Sequence, residues 1–163
     1  MAVEDKYVNA NIVAGKKAES FATVGQKTIT LVQTVEIAAA DDNGSVYRFF
    51  AGVPSTYIPD EITIVCDAIT AGTDFDLGLY ETDTGAVIDK DVLMDGQTLA
   101  TALTRATGYQ LGLGIVDKAN VTKTLGELSA QTNVSAAYDI ALTGNTVGSA
   151  AGTVSIIATF VQG

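Results

Sequence analysis

Apolar and polar residues alternate with a period of two along several short stretches of the chain, most clearly between Glu61 and Tyr80. Ile62, Ile64, Cys66 and Ala68 share one side of an extended segment, and Thr63, Val65 and Asp67 take the other. After Ala71-Gly72 the alternation resumes, with Phe75, Leu77 and Leu79 set against Asp74, Asp76, Gly78 and Tyr80. A period of two over such lengths predicts strands, and the small turn residues between them predict a β-hairpin with one wet face.

Other stretches carry the same signal. Ile29, Leu31, Val35 and Ile37 share one parity and predict a strand that Asp41-Asp42-Asn43-Gly44 stops, Asn-Gly being a dipeptide that accepts positive φ at little cost. Val46 to Val53, aromatic and β-branched, is expected to pair back as the next strand. Pro54 and Pro59 argue against a central strand between them and predict a loop or edge crossing, with Tyr57 and Ile58 either plugging the end of the core or exposed to a partner. Glu81 to Gly85 is a turn, and Ala86 to Leu93 returns antiparallel beside Asp74 to Tyr80, the unit closing at Asp95-Gly96. Between Gln97 and Gly108 a helical period in Leu99, Ala102, Leu103 and Ala106 competes with four threonines, so a short helix and an irregular crossing both stand. Tyr109 to Val116 reads as a strand, Val121, Leu125 and Leu128 suggest a short helix near 121 to 129, and Ala137 to Thr143 and Thr153 to Val161 are two closing strands around a small-residue loop. The expected fold is all-β: an antiparallel β-sandwich or jelly roll of about eight strands with one or two short helices.

Residues 1 to 25 show neither period. They form an N-terminal arm that either frays or lies along another subunit, ahead of a single β-sandwich domain over 26–163. With 163 residues the chain buries enough surface to need no staples, and its one cysteine, Cys66, sits on the apolar side of a strand as a small hydrophobe. The first residues carry acids and lack the apolar run of a secretory signal, and nothing approaches the roughly 18 apolar residues of a membrane helix, so folding in a reducing cytoplasm and no membrane partner are expected.

Charge changes the picture more than composition does. The net charge is −10, and residues 41–95 hold twelve acids against only Arg48 and Lys90. An acidic surface repels phosphate, and no basic stripe with interleaved aromatics is present, so no nucleic-acid binding is expected. Histidine is absent, which removes the commonest general base and zinc ligand together with every histidine-based triad. Glycoside hydrolysis needs only two carboxylates, and Asp74 and Asp76 lie two residues apart on one face, but a sugar cleft is usually lined by aromatics and tryptophan is absent. Asp74, Asp76, Asp83, Asp89, Asp91 and Asp95 would suit calcium if they converged, yet no EF-hand-like loop is present. Gly112 and Gly114 begin a dinucleotide-type spacing that Asp117 breaks, and Gly15-Lys16 lacks the rest of a phosphate loop. No catalytic residue, metal site or cofactor is assigned.

The stretch from Arg48 to Leu93, with its aromatic strand running into Val53-Pro54 and its Thr73-Asp74-Phe75-Asp76-Leu77-Gly78-Leu79-Tyr80 strand, together with the closing Ala151-Gly152-Thr153 hairpin, resembles small virion proteins of tailed bacteriophages encoded among head genes. The resemblance spans most of residues 46–95 and 137–162. It implies a noncatalytic β-sandwich decoration protein on the head exterior, bound to the major capsid protein and homo-oligomeric, a trimer being favoured. Tyr7, Val8, Ile12 and Val13 of the arm, with Tyr57 and Ile58, are the candidate interface residues. The runner-up is a carbohydrate- or receptor-binding sandwich of a fibre or adhesin, calcium-dependent or not. The acidic region 41–95, repelled by packaged DNA, is expected to face outward.

Overall fold

A computed structural model describes residues 27–104, 109–110, 120 and 122–162. Where the sequence alternates, the chain is extended: β1 (Thr28–Ile37), β2 (Ser45–Pro54), β3 (Tyr57–Cys66), β4 (Asp74–Glu81), β5 (Val87–Gln97), the short β6 (Tyr109–Gln110), β7 (Ala137–Thr146) and β8 (Gly152–Gln162), with one helical turn among the described residues, α1 (Leu125–Leu128), ahead of β7. These strands form two antiparallel sheets, β1-β8-β3-β6 and β2-β7-β4-β5. The inward positions of one sheet (Ile62, Ile64, Val154, Ile156, Ala158, Phe160) meet those of the other (Phe75, Leu77, Leu79, Tyr138, Ile140, Leu142), all essentially inaccessible to solvent. Removing each large apolar side chain from water contributes about 1.5–3 kcal/mol, and this shared layer holds the sheets together.

The strand order is that of an eight-stranded jelly roll. Among consecutive strands only β4 and β5 pair with each other. This corrects three sequence expectations. Residues 61–80 are not a hairpin: β3 lies between β8 and β6, β4 lies between β7 and β5, and the Asp67–Thr73 segment carries the chain from one sheet to the other. β2 does not pair back on β1 but runs beside β7, and β7 and β8 likewise sit in opposite sheets. The physical reason is common to all three. Alternation orients apolar residues toward a core, and two strands facing each other across that core satisfy it as well as two strands side by side.

Local chemistry places the corners. After β1, Ala38 N donates to Asp41 Oδ2 at 2.9 Å, and Gly44 takes φ 92°, a region a Cβ disfavours, before β2 begins. Pro54 ends β2, an edge strand, and the loop expected between the prolines narrows to Ser55 and Thr56, because Tyr57 to Pro59 already belong to β3, with Pro59 beside a bulge in the pairing with β8. Residues 98–104 form the irregular crossing rather than the helix: Leu99 plugs the core, and Cys66 and Leu103 exchange two backbone hydrogen bonds at 3.0 Å. The second expected helix exists but spans one turn. Thr124 Oγ1 accepts from Glu127 N at 3.2 Å and Glu127 Oε2 accepts from Thr124 N at 2.8 Å, a capping box. Of the strand expected at Tyr109 to Val116, 109–110 pair with β3 and the remainder lies outside the described residues, as does the arm over 1–25.

Candidate functional site

The outward face of sheet β2-β7-β4-β5 is where the sequence places its wet, acidic surface. Its centre is not wet. β5 spans 11 residues, yet its ends, Val87 and Gln97, pair with Tyr80 and Phe75, only six residues of β4. The surplus bulges over the sheet, and the backbone at Asp89 and Lys90 passes directly over Gly78, where a Cβ would lie 2.1 Å from the Asp89 carbonyl oxygen. Glycine here is the condition for that cover. Beneath it Asp76 is only 2% exposed, and Tyr80 and Thr143 are buried with their hydroxyls hydrogen-bonded to each other.

Burying a carboxylate requires compensation, and the two bases of the acidic third supply it. Asp76 on β4 accepts from Gly96 N at 2.9 Å and Asn145 Nδ2 at 2.6 Å, and Lys90 Nζ lies 3.0 Å from its Oδ2. Lys90 Nζ also donates to Asn145 Oδ1 at 2.7 Å, and Asn145 Nδ2 donates to Asp74 Oδ1 at 3.1 Å. Burial alone would raise the Asp76 carboxyl, but the Gly96 N–H, the Asn145 amide and the Lys90 ammonium outweigh it and hold the group below the usual carboxylate range. The hydrogen bond to Asp76 in turn raises Lys90. Arg48, on β2, serves the second carboxylate: its Nη1 donates to Asp139 Oδ2 at 2.8 Å and its Nη2 to the Gly85 carbonyl at 3.0 Å, while its guanidinium lies 5.3 Å from the Tyr80 ring centroid. Gly52 N satisfies the other Asp139 oxygen at 2.9 Å. Sequence reasoning did not assign roles to Lys90, Asn145 or Asp139. The available signals were two isolated bases among twelve acids, a glycine inside a strand, and the run Val92-Leu93-Met94 that breaks β5's alternation.

The remaining acids do not converge. Asp83, Asp91 and Asp95 are exposed, and Asp89 is raised first by burial and then by its neighbour Asp91. Among the described residues no group of three or more acidic or cysteine side chains is placed to hold a metal ion. An open cleft of about 410 Å³ between Glu81–Thr84 and Ser135–Ala137 contains two carboxylates, and the Glu81 Oε2 accepts from the Thr84 hydroxyl at 2.6 Å. Cys66 is buried, and burial pushes its thiol pKa up, as suits a small core residue. No helix among the described residues is long and apolar enough to cross a membrane.

The opposite outer face, on β1-β8-β3, has a different chemistry. Its rows read Thr30 beside Thr159, Val32 beside Ile157 beside Thr63, and Thr34 beside Ser155, with hydroxyl pairs at 3.1 Å (Thr30, Thr159) and 2.8 Å (Thr34, Ser155). Among the described residues the charges of this sheet lie toward its margins, at Lys27, Glu36, Asp60, Glu61 and Asp67, and Val32 is 61% exposed. Of the candidate interface residues, Tyr57 closes the core end, half-buried with its ring 6.2 Å from that of Phe160, and Ile58 pairs with Val161 beside this neutral face. Tyr7, Val8, Ile12 and Val13, and the glycines at 15, 112 and 114, lie outside the described residues.

No protein-family model and no curated protein matches the sequence. Solved structures do match. A chain of the cyanophage Pam1 capsid asymmetric unit aligns with a TM-score of 0.53 at 16% identity, covering 85% of this chain and 86% of that one. A chain of the capsid of Ralstonia phage GP4 aligns with a TM-score of 0.57 at 16% identity, covering 84% and 85%. At these identities the likeness is one of fold: this β-sandwich is an architecture also present in the capsids of two phages.

Proposed function

We propose that this chain is a noncatalytic structural protein of a bacteriophage virion, and specifically a decoration protein that binds the head exterior and stabilises the major capsid protein. The observation that carries the reading is the fold shared with phage capsid chains along most of its length. The chemistry is compatible: on the polar face the two buried carboxylates are each paired with a base and engaged by hydrogen bonds within the chain. In this reading the neutral β1-β8-β3 face meets neighbouring subunits or the shell, and the acidic loops around Asp83, Asp91 and Asp95 face outward, away from packaged DNA. The protein assembles as a homotrimer, and residues 1–25 reach a neighbouring subunit or the shell.

Adding purified protein to bare shells tests the proposal. Saturable binding at a fixed ratio, by a protein that is trimeric alone, is expected, as is loss of binding on deletion of residues 1–25 from a chain that still folds. A protein that ignores preformed shells and polymerises into shells itself is a major capsid protein, and the decoration reading then falls.

A further inference from the structure

Lys90, Asp76 and Asn145 lie on three neighbouring strands, β5, β4 and β7, with the acid on the middle one. The amine of Lys90 is 2.7 Å from the Asn145 carbonyl oxygen and 3.0 Å from Asp76 Oδ2, and the same carboxylate oxygen lies 2.6 Å from the amide nitrogen that would leave. Asp74 accepts a second hydrogen bond from that nitrogen at 3.1 Å. A nucleophile, an electrophilic carboxamide and a buried proton carrier therefore touch one another pairwise. Lys90 is held there because the β5 bulge seats its backbone on Gly78, although its side chain as a whole is 44% exposed.

From this geometry we propose that Lys90 and Asn145 join in a self-catalysed isopeptide bond, with Asp76 as the general base and acid. Asp76 takes one proton from the Lys90 ammonium across their contact, and the neutral amine attacks Asn145 Cγ. Asp76 then passes that proton to the departing Nδ2 and takes the second proton from the attached Nζ. The Cγ–Nδ2 bond breaks, ammonia leaves, and the second proton passes from Asp76 to the ammonia, which departs into solvent as ammonium. The product is a secondary amide between Nζ and Cγ. Nothing is oxidised or reduced, and no co-reactant is needed. Holding the reactants in contact supplies effective molarities that reach on the order of 10⁵ M or more in well-oriented intramolecular reactions, and proton transfer by a positioned carboxyl contributes further. The charged pair is the resting form, so the reaction waits on the proton shift and runs once, slowly. The bond ties β5 to β7 across β4, a clamp suited to a protein whose task is mechanical, and it forms in the isolated chain whatever that task is.

Intact-mass measurement of the folded full-length protein, followed at neutral pH until constant, decides the matter. A loss of about 17 Da, one ammonia, is expected, with protease digestion yielding a branched peptide joined at Lys90 and Asn145. Lys90→Arg, which keeps the positive charge beside Asp76, and Asn145→Ala are expected to retain full mass, and Asp76→Ala to slow the loss at least tenfold. A wild-type mass that stays at the sequence value overturns the proposal without reference to any variant. So does a loss that persists in Asn145→Ala, which would mark a succinimide at Asn43-Gly44 instead.

Discussion

Gly78 illustrates how one absent Cβ directs a surface. Its alternation with Leu77 and Leu79 is legible in sequence, and so is the fact that Asp76, Gly78 and Tyr80 share the face away from the core. That this face is covered is not legible, because the cover belongs to Asp89 and Lys90 of another strand. Gly78→Ala is expected to destabilise the fold by about 3 kcal/mol or more, since the clash is with backbone rather than with a side chain able to rotate away. Chemical denaturation measures it; a loss under about 1 kcal/mol would mean that the β5 bulge shifts freely. Tyr47 offers a test by pH. Burial, and then its hydrogen bond to Asp41 Oδ2 at 2.9 Å, push its phenol up to about 12. In the unfolded chain the phenol ionises near its ordinary value of about 10, so the folded protein holds its proton more tightly. Stability is full below about pH 10 and falls as pH climbs toward 12. In a spectrophotometric titration the Tyr47 phenol should ionise late, with Tyr47→Phe removing that late step and flattening the alkaline fall.

The strands themselves are the best-read elements, because each buries one row of apolar side chains and a period of two is a direct imprint of that burial. Their pairing is not legible for the same reason: parity says which side faces the core and nothing about which neighbour lies alongside. Edges sharpen this. β2 carries bulges and Pro54, and β5 is bulged and charged, devices that discourage pairing with another chain. β1 has neither a proline nor a bulge: Thr28–Ile37 runs in unbroken register with Gly152–Val161, and among the described residues it pairs on one side alone. With Val32 and Ile157 adjacent on the neutral face, β1 is where assembly contacts are expected. Val32→Lys, an exposed surface change, should alter folding stability by no more than about 0.5 kcal/mol while abolishing saturable binding to shells. Unchanged binding would remove this face from the interface.

At the scale of the whole molecule, what sequence conveys best is sidedness of charge. Twelve acids in residues 41–95 imply an acidic region, but the chain order hides its position, because β3 carries Asp60 and Glu61 into one sheet while β4, β5 and the loop between them carry seven acids into the other. The sandwich therefore has a neutral face with charged margins opposite a face whose burden is exposed at Asp83, Asp91 and Asp95 and internally paired at Asp76 and Asp139. If the acidic side points away from the shell, repulsion from packaged DNA is minimised and the neutral ladder is free to be covered. The distinction is measurable on assembled particles with a carboxylate-reactive reagent that does not enter the capsid. Asp83 and Asp91 should be modified on intact heads at the rate seen in the free protein, whereas Glu36 and Glu61, bordering the neutral face, should be protected until the particles are disrupted. Asp76, paired and buried, should resist in both states and so serves as the internal reference. Protection of Asp83 with free reaction at Glu36 would reverse the assigned orientation, placing the acidic face against the shell and leaving the unblunted β1 edge exposed to solvent.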